Sequence, residues 1–190
     1  MLSPDDFVAR CIDCLKNEGG SNGIAALTRL ALVSQRKDPG AWGKKEVVHC
    51  ADDLMIVDLT LPPFATSAIH EHRTWAVIGI SEGCEMDDLL MEQDDGLKWT
   101  SRHELRSGDI LVLQPDCIHF IGNPSAVPSR GIHVYGKNLA STGRRMWDPE
   151  TCTPRIMDFA VFEQWEHTLT AKSAAAGRIV APAFGANPAY

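Results

Sequence analysis

Two histidines two positions apart, His70 and His72, lie in the apolar run Ile69-His70-Glu71-His72-Arg73-Thr74-Trp75-Ala76-Val77-Ile78-Gly79-Ile80. On a β-strand that spacing points both imidazoles from the same face. Two rings in a run that reads as buried are costly to desolvate unless they gain partners, and one metal ion serves both. His119 sits in Asp116-Cys117-Ile118-His119-Phe120-Ile121-Gly122-Asn123 and His133 in Gly131-Ile132-His133-Val134-Tyr135-Gly136, each in its own strand-like run. The pattern predicts a metal held by His70, His72 and His119, with His133 beside it. The same period of two puts Tyr135 on the face of His133. His49, His103 and His167 stand alone and read as ordinary packed or surface residues. Imidazole donors accept zinc, nickel, copper or manganese as well as iron, so they leave the metal open.

The elements that must position these residues fall into three stretches. Ser3-Pro4-Asp5-Asp6 is a helix start, with Ser3 as N-cap, Pro4 at the first position and two acids in the first turn. Phe7, Val8, Cys11, Ile12 and Leu15 follow at helical spacing up to Gly19-Gly20, and Ile24 to Val33 reads as a second helix. From Glu46 the period becomes two, through Val47 to Cys50, Leu54 to Leu61, Ala68 to Ile80, Leu97 to Leu105, Asp109 to Leu113, Cys117 to Ile121 and Gly131 to Gly136. Turn signals separate the runs, and Pro62-Pro63 marks an edge or corner. Short strands at this density predict an antiparallel barrel or jelly roll. After Tyr135 the sequence predicts a structured loop through Arg144 to Pro149, an amphipathic helix from Phe159 to Leu169 and a loosely held tail from Ala171. One domain over 1–190 is expected: a helical preface over 1–43, a barrel over 46–136 and a C-terminal loop, helix and tail over 137–190.

Asp and Glu outnumber Lys and Arg, 25 to 18, for a net charge of -7, which argues against a nucleic-acid partner and for a small molecule. No apolar run reaches the length of a membrane span, and Met1-Leu2-Ser3-Pro4-Asp5-Asp6 has neither a basic region nor an apolar core, so a cytoplasmic protein without a membrane partner is expected. The six cysteines are widely scattered and read as reduced thiols. Cys11-Ile12-Asp13-Cys14 has redox-pair spacing but lies in a helical pattern with no strand before it.

The histidine segments resemble the two motifs of the cupin superfamily, whose fold is a double-stranded β-helix barrel with metal inside. His70, His72 and Gly83 match the first motif, although its Glu position falls near Ala76 or Val77; Gly108, Pro115, His119 and Asn123 match the second, without its usual Gly between Pro and His. The resemblance implies a mostly β jelly-roll barrel with N-terminal helices and a C-terminal helical extension. Loss of the Glu leaves a neutral three-imidazole face.

That face resembles the thiol dioxygenases, the family of cysteine dioxygenase and 3-mercaptopropionate dioxygenase, over roughly Val47 to Trp147. The resemblance implies Fe(II) as cofactor, a small thiol and O2 as partners, and a sulfinate product. In that family a Ser-x-His-x-Tyr triad lies beside the iron; here Gly131, His133 and Tyr135 take its places, which leaves the far end of the relay open. His133 and Tyr135 are the expected catalytic residues. A carboxylate-bearing thiol needs a cation, and Arg144 or Arg145 stands where the 3-mercaptopropionate branch places its Arg; Trp75 joins them as an expected substrate contact. The cysteine branch places its Arg where this chain has Lys44 and Lys45, and no Cys lies near enough to crosslink the tyrosine. Another metal-dependent cupin enzyme, an isomerase or a dioxygenase cleaving carbon-carbon bonds, and a non-catalytic binding cupin are the competing classes. The sequence is compatible with a monomer or a homodimer.

Overall fold

The structure, a computed structural model, describes residues 1–42 and 46–184. Helix α1 (Pro4–Lys16) begins at Ser3, whose Oγ accepts from the Asp6 amide at 3.1 Å, and Pro4 fills a first-turn position that needs no N–H. Its buried face is Phe7 and Cys11. Burial pushes the Cys11 thiol up to about 12, the reverse of what a redox-active thiolate requires. Helix α2 (Gly20–Lys37) and the short α3 (Pro39–Trp42) complete the preface, with Trp42 packed on Phe7 at 5.7 Å between ring centroids.

Eleven strands follow in chain order: β1 (Val47–Ala51), β2 (Leu54–Leu61), β3 (Ile69–Glu71), β4 (Ala76–Glu82), β5 (Cys84–Gln93), β6 (Gly96–Arg106), β7 (Ile110–Leu113), β8 (Ile118–Gly122), β9 (Ser129–Tyr135), β10 (Arg145–Trp147) and β11 (Pro154–Ile156). Helix α4 (Phe159–Ala176) comes last. The strands form two antiparallel sheets, β1-β2-β9-β4-β7 and β11-β10-β3-β8-β5-β6. Within them β5 pairs β6, β4 pairs β7, β3 pairs β8 and β2 pairs β9. These pairs are the rungs of one long antiparallel ribbon, closed at the β5-β6 hairpin and wound so that successive rungs alternate between sheets. That winding is a double-stranded β-helix, the jelly roll the spacing predicts.

Strand alternation divides each sheet into two faces. Leu54, Ile56, Val77, Ile132 and Val134 face outward and bury themselves with Phe7, Ile24, Ala31 and Leu32 of the helices. Each fully buried side chain of this size contributes about 1.5–3 kcal/mol. A buried clamp fixes the helices further: Gln35 donates to Asp58 at 2.8 Å, and Arg130 pairs with the same carboxylate. Ala76, Ile78, Ile80 and Tyr135 face inward.

Several expectations change. The run Ala68 to Ile80 is two strands, because Arg73 takes a left-handed φ of 54° and turns the chain from one sheet to the other. Strand β5 was not expected: Glu85, Asp87, Asp88 and Glu92 disfavour strand on propensity, yet burial and partners override it. Part of the expected loop at 144–149 is strand β10. Helix α4 runs to Ala176, and the segment after it is held, with Ile179 and Phe184 buried beside Phe120 on the outer face of the second sheet. The remainder of the expected tail, 185–190, and the preface residue Gly43 lie outside the described residues.

Gly131 is fixed by close approach. A methyl there would stand 2.6 Å from the Gly79 carbonyl oxygen, and β4 cannot retreat because Gly79 itself lies against Thr28 and Leu32 of α2. Gly131→Ala is therefore expected to lower stability by about 1–3 kcal/mol, read as a lower urea midpoint at unchanged slope.

Candidate metal centre

His70 lies on β3, His72 just beyond its end and His119 on β8, directly opposite His70 in the register. All three are buried, at 7%, 4% and 1% exposure. His70 Nε2 stands 3.1 Å from His72 Nε2, and His119 Nε2 3.4 Å from it. Their ligand atoms all lie within 4.8 Å of one another. Burial, with the charges of the neighbouring rings and of Arg144, holds His70 and His72 well below the ordinary 6.5, so both rings are neutral.

The tautomers follow from the other nitrogens. His70 Nδ1 is 3.0 Å from the Ala68 carbonyl oxygen and His119 Nδ1 is 2.9 Å from Asp87 Oδ1, so both acceptors call for N–H at Nδ1. Each Nε2 then carries a lone pair, and both lone pairs converge on His72 Nε2. A single N–H on His72 satisfies only one of them; a cation satisfies all three. Two nitrogens about 2.1 Å from a shared ion stand about 3.0 Å apart at a right angle and about 3.4 Å apart at the tetrahedral angle, and the two separations measured from His72 Nε2, 3.1 and 3.4 Å, fall in that range. The donor set fits a metal. The first-motif Glu position falls near Ala76 or Val77; Ala76 faces inward and Val77 outward, both are apolar, and among the described residues no acid joins the cluster of three.

Behind the imidazoles are acids that the sequence reading missed. Glu85 and Asp87 lie two apart on β5, at 2% and 0% exposure. Asp87 orients His119, the arrangement by which a carboxylate fixes the tautomer and ring orientation of a ligating imidazole. The signal for the pair is the same period of two that exposes His70 and His72, but it lies in an acid-rich stretch to which the sequence pattern assigns no element.

Tyr135 leans edge-on over His72, with ring centroids 4.8 Å apart, and its hydroxyl is 3.3 Å from His133 Nδ1. Burial, then the charge of Glu85, pushes the phenol up from its ordinary value. The far end of the relay is not open: His133 Nε2 lies 3.3 Å from Glu85 Oε2.

Arg144 is buried at 5% exposure and spends Nε and Nη1 on the carbonyls of Leu139 and Glu71. Its guanidinium lies over the Phe159 ring and acts electrostatically on His70, His72 and Tyr135. Arg145 points the other way. It pairs with Glu71 and Glu92 and lies over Trp147, so alternation along β10 separates the two arginines and removes Arg145 from the histidine cluster. Trp75 is also displaced from its expected place, since it packs with Val77 against the helical preface. Lys44 and Lys45 lie outside the described residues. Cys84 stands near Asn123, at 4.0 Å. Helix α4 closes the cluster from above: Phe162 packs edge-on against His70 at 5.2 Å between centroids, and Glu166, half-buried, couples to Arg144 and Tyr135.

No family model matches the sequence. Among solved structures, an oxalate oxidase in complex with the substrate analogue glycolate aligns at 18% identity and a TM-score of 0.40, over 45% of this chain and 43% of that one. An RmlC-like cupin family protein from Methanocaldococcus jannaschii aligns at 18% identity and 0.41, over 50% and 80%. A hydroquinone 1,2-dioxygenase from Sphingomonas sp. TTNP3 aligns at 14% identity and 0.39, over 47% and 62%. The fold of this chain, by its own strand pairing, is a double-stranded β-helix. This chain spans less than half the length of the oxalate oxidase it matches, and these likenesses are of barrel architecture, not of chemistry. No helix among the described residues is long and apolar enough to cross a membrane.

Burial, reinforced by Glu163 and offset by Arg144, raises Glu166 from its ordinary 4.5 to about 7. Folding thus favours its protonated form: the stabilisation is complete below about 4.5 and is lost as pH rises through about 7. Glu166→Gln is expected to flatten the pH dependence of the urea midpoint across that window, leaving the variant more stable than the wild type above it.

Proposed function

We propose that the protein is a non-haem Fe(II)-dependent thiol dioxygenase that oxidises a small, carboxylate-bearing thiol to its sulfinate with O2. The observation that carries this reading is a ligand set of three neutral imidazoles, His70, His72 and His119, with no carboxylate among them and Tyr135 leaning over His72. A neutral face leaves the full charge of a divalent ion for an anionic thiolate, where a carboxylate ligand would offset part of it. Fe(II) held by His70, His72 and His119 would bring thiol and O2 together and activate them; the four electrons that reduce O2 come from the sulfur, which takes both oxygen atoms as it goes from thiol to sulfinate.

The chain's own residues do the rest. Asp87 holds His119 in the tautomer that presents Nε2. Tyr135, oriented by His133, offers its hydroxyl to the ligand above His72. Arg144 supplies the cation for a substrate carboxylate; two of its nitrogens are anchored on carbonyls, and it has no ion pair with a carboxylate among the described residues. Phe162 packs edge-on against His70, and the Phe159 ring lies over the Arg144 guanidinium.

Oxygen uptake by the Fe(II)-loaded protein with 3-mercaptopropionate, cysteine and cysteamine in parallel tests the reading. Uptake matched by sulfinate is expected with a carboxylate-bearing thiol and not with cysteamine; Arg144→Met is expected to raise KM about 10- to 100-fold, the loss of a charge-assisted contact of about 1.5–3 kcal/mol. Absence of uptake with all three thiols, from protein holding one iron per chain, would point to another cupin reaction or to a binding role.

A further inference from the structure

His133 and Glu85 form a buried pair that the three-histidine site does not use. Their side chains are each 2% exposed, and His133 Nε2 stands 3.3 Å from Glu85 Oε2. Neither His133 Nε2 nor the second oxygen of Glu85, Oε1, has a formed hydrogen bond among the described residues. On its other side, His133 Nδ1 meets the Tyr135 hydroxyl at 3.3 Å.

A neutral imidazole places one proton on one of these nitrogens. With the proton on Nδ1, the lone pair of Nε2 would face the lone pairs of a carboxylate across 3.3 Å in a dry interior, which is repulsive. With it on Nε2, the N–H dipole is attracted to the carboxylate 3.3 Å away even without a formed hydrogen bond, and Nδ1 is free to accept from Tyr135. A serine at position 131 has no room to compete, because its Cβ would stand 2.6 Å from the Gly79 oxygen.

We propose that Glu85 is a positioning residue that keeps the proton of His133 on Nε2, so that Tyr135 donates its hydroxyl hydrogen to His133 and turns an oxygen lone pair toward the ligand above His72. Tyr135 is thereby an acceptor toward that ligand, and Glu85, on β5 of the other sheet, occupies the end of the relay where the thiol dioxygenases carry a serine. Its part in turnover rests on the function proposed above; the tautomer does not.

The test is a long-range 1H–15N correlation spectrum of the histidine rings in 15N-labelled protein, loaded with zinc and again without metal, with His133 assigned through His133→Gln. The wild type is expected to show His133 as the Nε2–H tautomer. Glu85→Gln, whose amide oxygen accepts in the same place, keeps it. Glu85→Leu loses the preference, and the ring shifts toward Nδ1–H with Tyr135 as acceptor. A wild-type ring already protonated on Nδ1, with Glu85 as the neutral donor, overturns the proposal, as does a Glu85→Leu ring unchanged from the wild type. Should Glu85→Leu fail to fold, the wild-type spectrum alone decides. None of these readings depends on oxygen uptake, so a protein inactive with every thiol still gives the tautomer.

Discussion

Three neutral imidazoles converge in a dry barrel, and the rest of the structure answers to that constraint. Each ring is withdrawn from water, two carry their N–H on the side away from the others, and the lone pairs that remain face one another at 3.1 and 3.4 Å. A hydrogen bond repairs one such contact; a shared cation repairs all of them. The double-stranded β-helix makes the meeting possible because it puts His70 and His119 opposite each other on paired strands, while His72 follows at the corner where Arg73 turns the chain between sheets.

The charges behind the site complete the arrangement. Three imidazoles bring no negative charge to a divalent ion, and the chain keeps its carboxylates one layer back, Asp87 against His119 and Glu85 against His133. Asp87 thus tunes a ligand without being one. Glu71, between the two histidines in sequence, points the other way and is held by Arg145 and Arg73, which pins the strand that carries them. Arg144 is left to face the imidazoles, under the phenyl ring of Phe159.

Much of this is legible in the sequence alone. A period of two determines which side chains share a face, so His70 with His72 and His133 with Tyr135 could be read as pairs, and the density of turns between short strands predicted the jelly roll. What stayed hidden depended on parity or pairing. Arg144 and Arg145 are adjacent, and only the phase of β10 decides which of them looks inward. Trp75 follows the histidine motif in sequence but lies past the turn at Arg73, on the outward face. Glu85 and Asp87 were passed over because acids in a strand contradict propensity, and their partners come from strands far along the chain. Gly131 looked like a missing serine; its reason is the backbone of β4 pressed against it by α2.

The most direct test of the central claim is metal stoichiometry under anaerobic Fe(II) titration, for the wild type and for His72→Ala, followed by X-ray absorption at the iron edge. The account requires one ion per chain in the wild type, scattering from three imidazole nitrogens, and loss of that tight site in the variant. One ion bound equally tightly in both proteins, or an iron shell containing a protein carboxylate, would contradict it.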